Sequence, residues 1–307
     1  MRIGIALAWH HLTWPQLLEA VSLAEDLGFQ AALVDGDVSQ LASRGDHTIL
    51  EGWTATASLL AKTHRIEIGS IRLVHHWNAA RLAQAVATLD HIEPNRLRFI
   101  VSIGGQRADL RFGFSSKGPS ERIQWLDETL TVTKRLWNGE RVDFQGRFVQ
   151  LSGARVRPAP GNLPIQIAAR GRRLLELVAR HADRWDINLP PLTEKVQIAE
   201  EHLRAACRRL GRNPDSIERS MWLFTRVGAK ATDSAVQKEF RKLNPWFSDV
   251  TESELPNAII AGSPDECLER ITTLTSQFHL DLPIIDFSGL TAEDLTYQIK
   301  SLAKAFA

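Results

Sequence analysis

The sequence has little cysteine, no long hydrophobic run and almost no excess of either charge. Its 307 residues include two cysteines, Cys207 and Cys267, each alone on a predicted helix, which argues against a disulfide scaffold or a cysteine-based zinc site. The 37 basic and 36 acidic residues give a net charge of +1, so charge gives no argument for binding nucleic acid or a membrane surface. No apolar run could span a bilayer, and the opening MRIGIALAW reads as a strand rather than a signal peptide. We therefore expect a cytoplasmic protein.

Several catalytic motifs are missing as well. No G-x-G-x-x-G follows the first strand, which weakens the case for a dinucleotide-binding fold. No G-x-S-x-G or Ser/His/Asp order supplies the nucleophile of a hydrolase, and no glycine-rich Walker loop supports NTP hydrolysis. No H-x-x-x-H pair lies on a predicted helix, so we expect no metal site.

What the sequence does contain is a regular alternation of strand and helix patterns. Strand patterns occupy residues 2–8, 30–35, 65–74, 96–103, 164–168, 184–188, 221–227 and 282–287. Helical patterns occupy residues 14–28, 48–62, 79–92, 120–138, 174–182, 193–211, 232–243, 264–277 and 291–306, and a β excursion is predicted at 142–156. Ser263 and Glu266 have the spacing of a capping box at the start of one helix.

Eight such units close most naturally into an α/β fold of the (β/α)₈ type, a TIM barrel. We expect one barrel domain over residues 1–307, with irregular segments at 38–47, 106–119 and 244–257 near the entrance of its pocket. The active site of such a barrel lies at the C-terminal ends of the strands. An open, doubly wound sheet is the competing architecture.

The most informative part of the sequence is residues 163–188, LPIQIAARGRRLLELVARHADRWDIN. It reads as a strand, a basic turn, a helix and a second strand, and Gly171 lies in the turn among Arg170, Arg172 and Arg173. A helix N-terminus attracts anions, and arginine forks onto phosphate oxygens. The turn is therefore interpreted as the seat of a phosphate-bearing cofactor, with an ordinary loop of solvated arginines as the alternative.

Polar side chains at other strand ends are candidates for proton transfer. His10 follows the first strand and His75 the third, and a neutral imidazole can move protons, although a single histidine is as readily structural. Asp35 and Asp37 follow the second strand, either as a base and its partner or as a turn cap and a solvated carboxylate. The barrel places further residues at the strand ends, namely Gly104, Gly105, Asn188 and Asp286.

Five segments, in one order over nearly the whole chain, match a known pattern. They are AQAVATLDHIEPNRLRF at 83–99, RLWNGERVDFQGRFVQL at 135–151, LPIQIAARG at 163–171, HADRW at 181–185 and AGSPDECLERI at 261–271. Together they resemble the luciferase-like flavin- and deazaflavin-dependent oxidoreductases, the bacterial luciferase superfamily. The runs NAARLAQAVATL and PNR are most similar to the branch that uses the deazaflavin coenzyme F420.

The resemblance implies a luciferase-like barrel with the cofactor ring across the strand ends, and a homodimer. The implied cofactor is coenzyme F420, with FMN as the alternative. It also implies a non-proline cis peptide bond between Ile71 and Arg72 that presses on the ring. The phosphate-holding amides of the family fall on the basic turn. The cofactor-binding residues expected on this basis are Ile71, Arg72, Ser102, Gly104, Gly105, Ala169, Arg170, Gly171, Arg172 and Asn188.

The sequence departs from the dehydrogenases of that branch at their acid and base. Those enzymes have Asp-His after the second strand, where this chain has Asp35 and Gly36. Their acidic residue after the fourth strand corresponds to Gly105, and their lysine after the sixth strand is missing from residues 188–191. Sugar-phosphate oxidation is therefore disfavoured. The substitute groups for proton transfer are predicted to be Asp35, Asp37, His10 or His75.

Three functions follow from this pattern. The leading hypothesis is an F420-dependent oxidoreductase that moves a hydride to or from a small organic substrate, as a reductase of an electron-poor C=C or C=N bond. The first alternative is an FMN-dependent monooxygenase that uses O₂. The second alternative is a non-redox or non-catalytic member that binds a ligand after losing the usual acid and base.

Overall fold

A computed structural model of the protein describes residues 2–7, 12–34, 36, 49–104, 112–114 and 117–306. The strands of this part of the chain are β1 (Gly4–Ala6), β2 (Ala31–Val34), β3 (Glu67–Leu73), β4 (Leu97–Ser102), β5 (Val142–Gln145), β6 (Gln150–Ala154), β7 (Ile165–Ala169), β8 (Arg184–Ile187), β9 (Glu218–Val227), β10 (Ile260–Gly262) and β11 (Leu282–Asp286). The helices are α1 (Trp14–Asp26), α2 (Gly52–Leu60), α3 (Ala79–Ile92), α4 (Pro119–Trp137), α5 (Arg172–His181), α6 (Thr193–Arg209), α7 (Ser234–Leu243), α8 (Leu255–Ala258), α9 (Pro264–Gln277) and α10 (Ala292–Ala303).

Eight strands close into a parallel barrel. The order around it is β1-β2-β3-β4-β7-β8-β9-β11, and β11 returns to β1, so that Gly4 lies opposite both Ala31 and Ile284. Closure depends on β9, which pairs with β8 on one side and with β11 on the other. The predicted (β/α)₈ barrel is thus confirmed, and the open doubly wound sheet is excluded.

The alternation of side chains along each strand separates two cores. Outward-facing residues such as Trp185, which is fully buried, pack between the barrel and the helices. Inward-facing apolar residues form a smaller cluster inside the barrel, comprising Ala6, Ala31, Leu33, Ile100, Ala168, Leu282 and Ile284. The carboxyl ends of all eight strands therefore surround one region, where a site can form.

The predicted β excursion is an antiparallel hairpin of β5 and β6 that lies outside the barrel. Glu128 on α4 anchors its turn, because the carboxylate accepts hydrogen bonds from the amides of Arg147, Phe148 and Val149 at 2.8–3.1 Å. The hairpin is thereby fixed to the helix that leads into it.

Several predicted boundaries agree with the structure. Helices α3 and α9 have the predicted ends, and the capping box of α9 is present, with Ser263 Oγ accepting from the Glu266 amide at 3.2 Å. Helix α8 and strand β10 were not predicted, because four and three residues are too short to show a period. Cys207 and Cys267 are buried, free thiols. No helix in the described ranges is long and apolar enough to cross a membrane.

Asp127 ties α4 to α5. Its Oδ1 lies 2.7 Å from His181 Nε2, and its Oδ2 accepts from Arg180 Nη1 at 2.7 Å. The hydrogen bond with His181, helped by the charge of Arg180, lowers the pKa of the Asp127 carboxyl, although partial burial opposes the shift. The ionised carboxylate therefore stabilises the fold at pH values above the unfolded pKa.

Replacing Asp127 with asparagine is expected to lower the free energy of unfolding by about 1 kcal/mol at pH 7, a small value because the pair is partly exposed. The difference from the unaltered protein should shrink as the pH falls below about 4, where the native carboxylate also takes up a proton. Urea unfolding at several pH values measures it, with Asp26→Asn at the exposed end of α1 as control. A loss of the same size at pH 3 would contradict the assignment.

Candidate active site

A cavity of about 930 Å³ opens at the C-terminal ends of the barrel strands. It is bordered by the ends of β3, β4, β7, β8, β9 and β11 and by the basic turn at residues 169–173. The opposite wall comes from α7 and residues 244–247. Cavities of roughly 300–1,000 Å³ are typical of sites for small molecules and cofactors, and barrel enzymes carry their sites at this end.

The basic turn presents an open helix N-terminus to this cavity. Strand β7 ends at Ala169, and Gly171 is the N-cap of α5, with extended backbone and no side chain to cap the helix. The first amides of a helix have no acceptor within the helix, so those of Arg172 and Arg173 are free to bind an anion. A Cβ atom added to Gly171 would meet no atom of the described chain within 4 Å. The space in front of the turn is therefore open to a ligand.

Three arginine side chains surround the turn and line the cavity. Arg170 Nη1 donates to the carbonyl oxygen of Trp246 at 2.7 Å, and Arg173 Nη1 donates to Ser120 Oγ at 2.6 Å. Arg172 is mostly exposed and lies 3.9 Å from the Glu176 carboxylate. Because Arg170 and Arg173 are held by neutral oxygens, their charge remains available to a phosphate group.

The strand that leads into the turn is fixed from two sides. Trp185 Nε1 donates to the carbonyl oxygen of Ala169 at 3.0 Å from the outer core. Ser102 Oγ donates to the carbonyl oxygen of Ala168 at 3.1 Å. These bonds hold the end of β7 in place, so the position of the amides in the basic turn is set by the barrel rather than by a loop.

An aromatic wall faces the cavity from β9, α7 and the segment after it. Phe224 and Phe240 pack edge to face at 5.5 Å between ring centroids, and Phe247 stacks on Phe240 at 6.2 Å. Trp222 and Trp246 extend this wall. The buried Nε1–H of Trp222 has no hydrogen-bond partner among the described residues, so it can donate to a ligand. Aromatic surface beside a cationic turn suits a flat ring with a phosphate at the end of its side chain.

Two buried carboxyl groups line the cavity, Asp186 at the end of β8 and Asp286 at the end of β11. Asp286 Oδ1 accepts from the amide of Ser288 at 2.8 Å and from its hydroxyl. Burial raises the pKa of Asp186 to about 7, although the hydrogen bond from Ser220 and the charge of Arg98 favour the ionised form. Asp186 can therefore carry a proton at neutral pH.

Most of the described residues that were predicted to bind the cofactor come together at this cavity. Those lining it are Ile71, Ser102, Gly104, Ala169, Arg170, Gly171, Arg172 and Asn188. Gly104 has a positive φ of 62°, and a Cβ there would lie 2.9 Å from His75 Cε1, so the position needs glycine. The predictions for His10, Asp35, Asp37 and Gly105 fall outside the described residues.

Two predicted residues lie behind the wall of the cavity instead. Arg72 points outward from β3 toward α2, where its guanidinium stacks 4.5 Å from the centre of the Trp53 ring and Nη2 donates to Thr56 Oγ1 at 3.3 Å. Burial lowers the pKa of Arg72 to about 9. His75 lies in the turn after β3, and its ring packs behind Gly104. Neither side chain lines the cavity.

The predicted cis peptide bond between Ile71 and Arg72 was wrong. Within the described ranges the cis bond is Arg157–Pro158, and the bond after Ile71 is trans. The physical reason is the continuous pairing of β3 with β4, in which Ile71 lies opposite Ile100 and Arg72 opposite Val101. This regular register keeps the backbone extended to the end of the strand.

Sequence reasoning missed Asp186, Trp222 and the aromatic wall. A signal for Asp186 was present, because residues 184, 186 and 188 share one face of a strand, and Asn188 was already placed at the pocket. Trp222 likewise shares the inner face of β9 with Ser220 and Phe224. The residues of α7 gave no such signal, because their approach to the barrel end depends on tertiary packing.

Comparison with known proteins agrees with this architecture. Residues 1–258 match the family model described as luciferase-like monooxygenase. The F420-dependent glucose-6-phosphate dehydrogenase of Nocardia farcinica is 29% identical over 286 residues, which is 83% of each chain.

Two solved structures share the fold. An F420-dependent secondary alcohol dehydrogenase, in complex with an F420–acetone adduct, superposes with a TM-score of 0.81 at 16% identity, over 99% of this chain and 98% of the other. The monooxygenase RslO1 from Streptomyces bottropensis superposes with a TM-score of 0.79 at 19% identity, over the same shares of the two chains. With the family model matching residues 1–258 and a barrel that superposes over nearly its whole length, the chain belongs to the luciferase-like monooxygenase family.

Proposed function

We propose that this protein is an oxidoreductase that transfers a hydride between coenzyme F420 and a small organic substrate. The observation that carries the proposal is the uncapped N-terminus of α5, which opens with three arginines into a cavity of about 930 Å³. The relatives at 25–31% identity, which are named as F420-dependent dehydrogenases, support this cofactor.

The residues present fit an anionic, ring-bearing cofactor. The amides and guanidinium groups of residues 169–173 would hold the phosphate, and the buried Nε1–H of Trp222 offers a further donor. The aromatic wall and the apolar strand ends exclude water from the remaining volume. When bound, the coenzyme supplies a ring carbon that accepts or donates a hydride. The protein contributes position, a dry cavity and a group that holds a proton.

The substrate is proposed to differ from glucose 6-phosphate. The family resemblance implies that Gly36 stands where the dehydrogenases have histidine, and a Cβ at this position would lie 1.9 Å from the Ile71 carbonyl oxygen. The structure therefore leaves no room for that base. We propose reduction of an electron-poor C=C or C=N bond, for which a proton donor is needed rather than a base that removes a hydroxyl proton. Asp35, Asp37 and His10 remain predicted donors.

Absorbance titration of the purified protein with F420 and with FMN tests the proposal. Binding of F420 without binding of FMN is the expected result. Preference for FMN, followed by O₂ consumption when the flavin is reduced, would favour the monooxygenase instead. Binding of neither cofactor would favour a non-redox member of the family.

The double substitution Arg170→Ala/Arg172→Ala is expected to weaken F420 binding about 30- to 1,000-fold, because each of the two charge-assisted contacts to a phosphate contributes roughly 1–2 kcal/mol. The same titration measures the dissociation constant. Arg81→Ala/Arg208→Ala removes the same charge from α3 and α6, away from the cavity, and serves as control. Equal affinity in both double variants would show that the turn does not hold the coenzyme.

We further propose that the protein works in the cytoplasm as a homodimer. The support is the family resemblance and the absence of charge patterns for membrane or nucleic acid. Sedimentation equilibrium tests the oligomeric state directly, since a monomer and a dimer of a 34.4 kDa chain differ twofold in mass.

A further inference from the structure

A chain of polar side chains crosses the interior of the barrel and ends at the cavity. Arg98 Nη1 donates to Glu67 Oε2 at 2.6 Å, and Arg98 Nη2 donates to Gln166 Oε1 at 2.8 Å. Gln166 Nε2 donates to Ser220 Oγ at 2.9 Å, and Ser220 Oγ donates to Asp186 Oδ1 at 3.2 Å. Five neighbouring strands, β3, β4, β7, β8 and β9, thus contribute one continuous series of hydrogen bonds.

This polar chain occupies inward-facing positions, which carry apolar side chains in the other half of the barrel. Arg98, Gln166 and Ser220 are buried to 2% exposure or less, on inward positions where branched apolar residues usually fill a barrel. Burying such groups is costly unless each finds a partner, and such networks hold their members in one arrangement. The chain therefore fixes the group at its end, which is Asp186.

The two oxygens of the Asp186 carboxyl have different surroundings. Oδ1 accepts the hydrogen bond from Ser220, whereas Oδ2 forms no hydrogen bond with the described part of the chain. Asp186 is 3% exposed, and it borders the cavity beside Ala168, its neighbour in the β7–β8 register. The polar chain thus holds one oxygen and leaves the other for a ligand in the cavity.

We propose that Asp186 is the general acid of the reaction and that Ser220 is its positioning residue. This inference rests on the proposed F420-dependent reduction. The hydride from the reduced coenzyme bonds to the electron-poor carbon of the C=C or C=N bond, and the π electron pair moves to the second atom. The Asp186 O–H bond breaks, and its proton bonds to that atom. The coenzyme is left oxidised, the substrate is reduced by two electrons, and solvent returns a proton to the carboxylate.

The charged groups around Asp186 are compatible with this role. They lie on strands of the barrel, namely Arg98 on β4, Glu67 on β3, Arg184 on β8 itself and Asp286 on β11. Of these, Arg98 favours the ionised form, but the burial of Asp186 outweighs it and raises the pKa to about 7. Glu67 compensates the charge of both Arg98 and Arg184 at 2.6 and 3.8 Å.

Asp186→Asn tests the proposal, with Asp286→Asn as the matched variant. The assay uses reduced F420 with 2-cyclohexen-1-one and with 1-pyrroline as probes. In Asp186→Asn we expect kcat/KM to fall on the order of 10²- to 10⁴-fold, with F420 affinity unchanged within about threefold.

In the unaltered protein kcat/KM should decline above pH 7, where the acid loses its proton, and Asp286→Asn should keep this decline. Loss of the decline in Asp286→Asn, and not in Asp186→Asn, would overturn the proposal.

The pH profile of Ser220→Ala tests whether Ser220 acts through Asp186, because a purely structural role of Ser220 would leave that profile unshifted. The hydrogen bond from Ser220 favours the ionised carboxylate, so its loss should raise the pKa of Asp186. The decline of kcat/KM should then shift to higher pH, with activity retained at pH 6. An unshifted pH profile in Ser220→Ala would show that Ser220 does not act through Asp186.

A measurement without substrate separates this inference from the proposed function. Infrared spectra should show a protonated carboxyl band that disappears as the pH rises through about 7, and that is missing in Asp186→Asn. If the unaltered protein binds F420 and reduces a probe but lacks this band, the inference fails and the function stands. If it binds no F420 or reduces neither probe, the function fails, and the role of Asp186 fails with it whatever the band shows.

Discussion

Replacing Arg98 with alanine is expected to lower the free energy of unfolding by about 3 kcal/mol, because removing one partner of a buried ion pair takes away the nearest opposite charge of the other partner. The guanidinium of Arg98 is 2% exposed and donates to Glu67 and Gln166 inside the barrel. Its loss leaves the Glu67 carboxylate with the longer contacts to Arg2 at 3.5 Å and Arg184 at 3.8 Å, and it leaves the Gln166 carbonyl oxygen without its donor. Denaturant unfolding measures the change.

The matched control for this substitution is Arg135→Ala. Arg135 pairs with Glu140 at 2.9 Å, but both side chains are more than a third exposed, so its loss is expected to cost less than about 1 kcal/mol. The pair Arg98→Met/Glu67→Leu should recover much of the stability lost in Arg98→Ala, because it removes both charges together. Equal effects of Arg98→Ala and Arg135→Ala would show that the interior network does not contribute to stability.

The barrel could be predicted because each of its units carries a local pattern. Strand alternation and helical periodicity extend over only a few residues, and α3 and α9 are long enough for their ends to be marked by a stop or a capping box. The short elements α8 and β10 have no such pattern, and β10 exists because β9 offers a free edge beyond the barrel. Their formation depends on neighbours that are distant in the sequence.

The candidate site likewise has one part that the local sequence predicts and one part that it does not. The basic turn is a strand end, a glycine and a helix start within a few residues, so local sequence indicates an anion site. Each contact in the polar chain from Glu67 to Asp186 joins residues that are 31 to 68 positions apart, and only the strand order brings them together. Strand periodicity tells which residues share a face, but the register between strands decides which of them meet.

Gly36→Ala is expected to destabilise the protein by about 2 to 3 kcal/mol, as overpacking at a rigid backbone contact does. A Cβ at position 36 would lie 1.9 Å from the carbonyl oxygen of Ile71 and 2.8 Å from its carbonyl carbon, so the end of β3 must move. Because Ile71 lines the cavity, F420 affinity should fall as well. Thermal unfolding and the absorbance titration measure the two effects.

Gly118→Ala is the matched control, since its Cβ would meet no described atom closer than Glu121 Oε2 at 3.8 Å. The contact at Gly36 also bears on one departure from the pattern that the family resemblance implies. By that resemblance, the chain has glycine where the dehydrogenases are expected to have histidine. The Ile71 carbonyl oxygen lies so close to position 36 that only glycine fits there. If Gly36→Ala were as stable as Gly118→Ala, the backbone there would be free to move, and position 36 would not require glycine.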